Sequence, residues 1–242
     1  MDILLTNDDG YDAPGLRAAY EAIRHLGKVH VVAPSAERSA CSHTITLREP
    51  IVVKRRTHEL FGPSFAVDGT PADCVRLAHT ALIDRPIRLV VSGMNRGANA
   101  GVDTFYSGTV AGAREGAILG IPSIALSQAL RAGVETDWPA ATAVCQRIVD
   151  MLSEEALPGP GFWNVNLPAP IPHHAVETMQ RVPVAVHPMP LNFESTEADD
   201  GDTLEFGYGA SYWLRDVTGP SDYSVIRDGA VAVTAIPLVG TF

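Results

Sequence analysis

Thr6-Asn7-Asp8-Asp9-Gly10 follows the first apolar run of the chain, Ile3 to Leu5, and precedes a helical pattern that starts near Pro14. The run reads as a buried strand, so two adjacent carboxylates stand at a strand's carboxyl end, where open α/β sheets keep their ligands. Side by side they repel, and one pKa rises unless a cation or a set of donors compensates. A hard divalent ion accounts for the pair economically: oxygen ligation suits Mg²⁺ or Mn²⁺, whereas Zn²⁺ prefers His and Cys. Asp-Asp-Gly also has the composition of a polar turn.

Outward from this stretch, Leu16, Ala19, Tyr20, Ile23 and Leu26 recur at helical spacing, Gly27 closes the segment, and Val29 to Ala33 forms the next apolar run. Strand, helix and strand within about thirty residues make a βαβ unit, which implies a parallel sheet. The first turn lacks G-x-G-x-x-G and the chain lacks G-x-x-x-x-G-K-[ST]. These absences exclude a dinucleotide cofactor site and a P-loop.

The loop from Pro34 to His43 leaves the second strand above the same edge, with hydroxyls for a metal or phosphate and with Arg38 and His43 as further polar groups. Thr44 to Leu47 and Ile51 to Arg55 read as a short hairpin. Thr70, Pro71 and Asp73 have the pattern of a helix N-terminus, which assigns Asp73 a local role. Ile87 to Val91 reads as a core strand that runs into a Gly- and Asn-rich loop, 92 to 101, where Asn95 or Asn99 could join a metal's shell. Ser107 either caps the helix that begins at Thr109 or binds phosphate there, since both use one geometry. Further strands are expected at Pro122 to Leu126, Phe162 to Leu167 and Ala230 to Ile236. Helices are expected at Ala140 to Leu152 and Tyr223 to Arg227. Val176 to Val186 and Thr203 to Leu214, joined by the polar stretch Asn192 to Asp202, read either as the arms of a long hairpin or as a disordered excursion.

The 242 residues carry 28 acidic and 18 basic side chains, a formal net charge of −10, which argues against binding duplex nucleic acid. Cys41, Cys74 and Cys145 are scattered and odd in number, the usage of a reducing compartment. The opening residues have no signal-peptide pattern and no apolar run approaches membrane-spanning length, so a cytoplasmic protein without membrane partners is expected.

In order along the chain stand T-N-D-D-G, V-V-A-P-S-A-E-R-S, G-T-P-A-D-C-V, S-G-M-N-R-G-A-N and Y-S-G-T-V. Together they resemble the SurE family of survival nucleotidases. The likeness is close over residues 5 to 112 and weaker near Asn164 to Pro168 and from Asp222 to Ile236. The resemblance implies one α/β domain with a Rossmann-like, mostly parallel sheet and helices on both faces. Residues 1–170 would form its core, 171–215 a protruding β-hairpin used in oligomerisation, and 216–242 a returning carboxyl-terminal strand. It implies a metal-dependent 5′-nucleotidase, acting also on 3′-monophosphates, with one Mg²⁺ or Mn²⁺ per subunit and a homodimeric or homotetrameric assembly. Asp8, Asp9, Ser39 and Asn95 match the family's metal ligands, with Asp8 and Asp9 catalytic. Asn7, Asn95, Ser107, Gly108 and Thr109 match its phosphate and substrate side. The chain departs from the family in the Ala40 and Cys41 of its second loop and in Asp68.

On mechanism, an activated water with Asp8 as its base stands beside direct attack by Asp8. A receiver-like signalling module, which also pairs acids after its first strand, is one alternative function; a catalytically inactive nucleotide-binding protein is another.

Overall fold

Ile3, Leu4 and Leu5 are all fully buried, with Ile3 and Leu5 packed into one apolar cluster and Leu4 into another. A strand covered on both faces in this way is the centre of a sheet sandwiched between helices. The computed structural model describes residues 1–157, 159–197, 203–209, 212–215 and 217–238. The central strand is β1 (Asp2–Thr6), followed by α1 (Pro14–Ile23), β2 (Lys28–Pro34), β3 (Val53–His58), β4 (Gly62–Val67) and α2 (Pro71–Leu77). Then come β5 (Leu89–Arg96), α3 (Gly108–Ile118), β6 (Ser123–Gln128), α4 (Trp138–Ser153) and β7 (Gly161–Leu167). The remainder holds β8 (Gln180–Arg181), β9 (Phe193–Glu197), β10 (Leu204–Tyr208), α5 (Asp222–Arg227) and β11 (Ala232–Pro237).

The main sheet has the order β3-β4-β2-β1-β5-β6-β7-β11-β8. From β4 to β7 every pairing is parallel. This is the doubly wound arrangement, in which the strand order reverses between β1 and β5 and leaves a crevice beyond their carboxyl ends. On one face α1 and α4 cover Ile3, Leu5, Val91 and Leu126, and on the other α2 packs over Leu4, Val32 and Val90 while α3 lies over β5 and β6. Each fully buried Leu or Ile contributes about 1.5–3 kcal/mol by leaving water. Strand β11 returns antiparallel to β7.

Several expected boundaries move. The first hairpin is β3 with β4, not Thr44 to Leu47 with Ile51 to Arg55. Thr46 spends its N–H and hydroxyl on the Asp73 carboxylate (2.9 and 2.8 Å), and the Thr44 carbonyl accepts from the Thr70 hydroxyl (2.7 Å). That backbone therefore finds its partners at the start of α2 instead of in a ladder, and Asp73 serves as cap and clasp. Strand β5 continues to Arg96 through a register shift between Ser92 and Asn95, because Asn95 and Arg96 still pair with Ser127 and Gln128. Between Val176 and Val186 only Gln180–Arg181 is a strand, since Pro183, Pro188 and Pro190 interrupt any ladder beyond it. The protruding hairpin is instead β9 with β10, so its first arm lies within the stretch expected to be a polar connection; residues 198–202 lie outside those described.

Candidate metal and phosphate site

Beyond Thr6 the chain turns through Asn7, whose Nδ2 donates to the Gly10 carbonyl at 2.9 Å. Gly10 takes φ +102°, and a Cβ there would lie 3.1 Å from the Ala36 backbone. Only glycine lets this turn pass so close under the loop after β2. Two backbone bonds join the segments: Arg38 N–H to the Asp8 carbonyl (2.7 Å) and Tyr11 N–H to the Pro34 carbonyl (2.8 Å). From the other side of the crevice, the Arg96 N–H reaches Asp9 Oδ2 at 3.2 Å.

Asp8 is 4% exposed and sits at the first turn of α3, where Thr109 donates its hydroxyl to Oδ1 and its backbone N–H also stabilises the carboxylate. Gly108 makes that approach possible, because a Cβ on it would lie 2.8 Å from Cys41 Sγ and 2.9 Å from Asp8 Oδ2. Burial raises the Asp8 pKa to about 6; the Thr109 hydroxyl opposes the shift and the Asp9 charge adds to it. Burial also raises Asp9, against the Arg96 N–H and together with the charge of Glu37. Two crowded acids pushed toward their neutral forms are what a bound cation would relieve.

The neighbouring donors fit such a cation. Behind Asp8, Asn7 Oδ1 is buried and has no hydrogen-bond partner among the described residues. Asn95 uses Nδ2 on the Gly97 carbonyl (2.7 Å), which leaves its amide oxygen as the disengaged end, and Ser39 donates to Glu37 Oε1 (2.6 Å), which leaves its lone pairs. Asp8, Asp9, Ser39 and Asn95 all line one cavity of about 950 Å³. Among the described residues no group of three or more His, Cys, Asp or Glu is placed to hold a metal, so a cation here would rely on the two carboxylates together with neutral oxygens. A hard divalent ion suits it.

The remaining expected residues divide. Ser107 lines the cavity while its Oγ accepts the Val110 N–H at 3.0 Å, so it caps α3 and faces the site at once. Asn7, Gly108 and Thr109 stand behind Asp8 and are not part of the cavity wall. Asn99 lines it but is tied into a buried network with Ser127, Asn164 and Asn166. Arg38 pairs with Asp68 (2.5 Å), and His43 with Glu115 (2.8 Å), so both bind protein partners.

Other lining residues escaped the sequence patterns. Arg96 lines the cavity, and its guanidinium makes no hydrogen bond among the described residues. Tyr106 and Trp138 line it, as do Pro188, Met189, Leu191 and Tyr208 at the neck of the β9–β10 hairpin. The neck is fixed to the site by Asp222, whose carboxylate accepts the N–H groups of Gly101 and Ala185 (both 2.8 Å). Arg215 adds a buried ion pair, its Nη2 reaching both carboxylate oxygens of Asp103 (2.6 and 2.7 Å) while Nη1 donates to the Ala100 carbonyl (3.1 Å). No local pattern announces contacts that span 37 to 121 residues.

The sequence model of the survival protein SurE family matches residues 3–187. The chain is 40% identical to the 5′-nucleotidase SurE of Geotalea daltonii over 98% of its own length and 93% of that protein. It is 41% identical to the 5′-nucleotidase SurE of Myxococcus xanthus, over 97% of its length and 86% of that protein. The crystal structure of the SurE protein from Aquifex aeolicus superposes with a TM-score of 0.84 at 34% identity, covering 100% of this chain and 95% of that one. A receiver-like module and an inactive binding protein gain no support from these likenesses.

Proposed function

The chain belongs to the SurE family, and from that membership and the cavity beyond β1 we infer that it is a 5′-nucleotidase, hydrolysing nucleoside 5′-monophosphates to nucleoside and phosphate. The observation that carries this reading is Asp8, buried at a helix N-terminus and side by side with Asp9 on the floor of a cavity large enough for a nucleotide. As in the family, the activity depends on a metal ion. Our finer reading is one Mg²⁺ or Mn²⁺ per subunit, held by Asp8, Asp9, Ser39 and Asn95, with 3′-monophosphates also accepted. Bound there, the ion supplies charge relief to the phosphoryl oxygens and lowers the pKa of water.

The chain's own residues do the rest. Thr109 fixes Asp8 through Oδ1, which leaves Oδ2 as the atom to orient a water and take its proton. Ser107, at the start of α3, can donate its hydroxyl to a phosphoryl oxygen while its lone pair caps the helix. Arg96 places a positive charge on the same wall, where charge accumulates in the transition state. The hairpin serves self-association, as a dimer or tetramer. Three cysteines without disulfides agree with a cytoplasmic setting, and among the described residues no helix is long and apolar enough to cross a membrane.

The test is phosphate release from nucleoside 5′- and 3′-monophosphates with Mg²⁺, with Mn²⁺ and with excess chelator. Turnover with metal that chelator abolishes is expected. Undiminished activity in chelator removes the metal from the mechanism, and no release from any nucleotide with either ion overturns the function.

A further inference from the structure

We propose that the base of the substrate is held by an apolar wall that two distant parts of the chain build together, Trp138 at the start of α4 and Met189, Leu191 and Tyr208 at the hairpin neck. The proposal rests on the nucleotidase reading and extends it to the leaving group. These four side chains line the same cavity as Asp8, Asp9 and Ser107. At about 950 Å³ the cavity lies near the upper end of the range for small-molecule sites, far beyond what a phosphoryl group fills.

The chemistry of the wall selects a flat, neutral ligand part. Two polar residues that line the cavity are tied to the protein, Asp103 to Arg215 and Asn99 to Ser127. The wall itself is aromatic and aliphatic surface, which stacks any base without reading its edge. The wall is also held in place. A Cβ on Gly15 would lie 1.9 Å from the Met94 carbonyl oxygen and 3.1 Å from Trp138 Cη2, so the indole packs directly against the α1 backbone. Tyr208 donates its hydroxyl to the Pro190 carbonyl at 2.5 Å and sets its ring edge against Phe193 with centroids 5.5 Å apart. Asp222 and Arg215 tie the flanks of the hairpin to the loop that begins at Ala100.

The experiment compares adenosine 5′-monophosphate with ribose 5-phosphate, which keeps the phosphate and sugar and lacks the base. For Trp138→Ala, KM for the nucleotide should rise about tenfold or more, from the lost stacking, with kcat within about twofold. The kinetics of ribose 5-phosphate should not change, and Trp138→Phe should restore most of the nucleotide KM. Because Trp138 also touches the core, Leu191→Ala provides an independent arm: Leu191 is 81% exposed and its loss cannot unfold the protein. It should produce a smaller, base-dependent rise in KM. Equal effects on both substrates, or none on either, would overturn the wall while leaving the nucleotidase intact. A wild-type enzyme that cleaves neither compound overturns both.

Discussion

At Asp8 two demands conflict: the role proposed for the carboxylate needs it charged, and its surroundings favour it neutral. Its pKa of about 6 compares with 3.8 for an ordinary Asp, so between those pH values the folded chain holds a proton that the unfolded chain has released. Stability of the chelated protein therefore falls as pH rises from about 4 to about 6 and stays low above that, a loss of at most about 3 kcal/mol. Asp8→Asn removes the titrating group. With chelator present, the variant should equal or exceed wild type in urea stability at pH 7.5, and the fall across that window should become smaller, the remainder coming from Asp9 and Asp222, which burial also raises. At saturating metal its kcat should drop at least about a thousandfold, the range for losing a group that acts in the transition state. Near-normal turnover would falsify the role assigned to Asp8, since Asn serves a mere turn as well as Asp does.

Helix α3 shows what close packing on the sheet needs from a sequence. It is small-residue-rich because its backbone lies almost on the sheet: a Cβ on Gly112 would lie 2.6 Å from Ser92 Oγ, and one on Gly116 2.3 Å from Ser123 Oγ and 2.8 Å from Val90 Cγ2. Gly116→Ala gains about 1 kcal/mol in helix propensity. The overlap outweighs it, because Ser123 is buried and bonded to the Ile121 carbonyl (2.8 Å) and Val90 is stiff at χ1. Net destabilisation of about 1–2 kcal/mol is expected, read as a lower urea midpoint. Gly159→Ala, where a Cβ meets nothing within 4 Å, is the control and should be nearly silent. Equal midpoints for the two variants would show that α3 has room to move.

For the whole molecule, the protruding hairpin carries its own set of exposed apolar side chains: Phe193, Leu204, Phe206 and Tyr208. The register sets Phe193 opposite Tyr208, so one face of a two-stranded ribbon is apolar. Such a ribbon is marginal alone in water, and association would cover it. Replacing residues 192–209 by a short Gly-Ser turn should lower the mass in solution while leaving the cooperative unfolding of the core in place. It should also raise the nucleotide KM, since Tyr208 leaves the cavity. An unchanged mass by light scattering would mean that the hairpin has a different use.

The doubly wound core and the place of the acids were legible along the chain because their signals are local: apolar runs of strand length, helical spacing after Pro14, and polar residues where strand β1 ends. Asp8 and Asp9 were legible in the same way; Ser39 and Asn95 were singled out by the resemblance to the family, and the fold brings all four to one cavity. Other features exist only once the chain is packed. Thr109 and Ser107 are two residues apart, yet one faces Asp8 and the other the cavity, because the first turn of α3 points them in different directions. The backbone of Thr44 to Thr46 is clasped by α2 and not by a strand, since a carboxylate 27 residues away outcompetes a ladder. Trp138 and Tyr208 meet one cavity only because Asp222 and Arg215 bind the hairpin's flanks to the loop at Ala100, a juxtaposition that no local pattern of residues encodes.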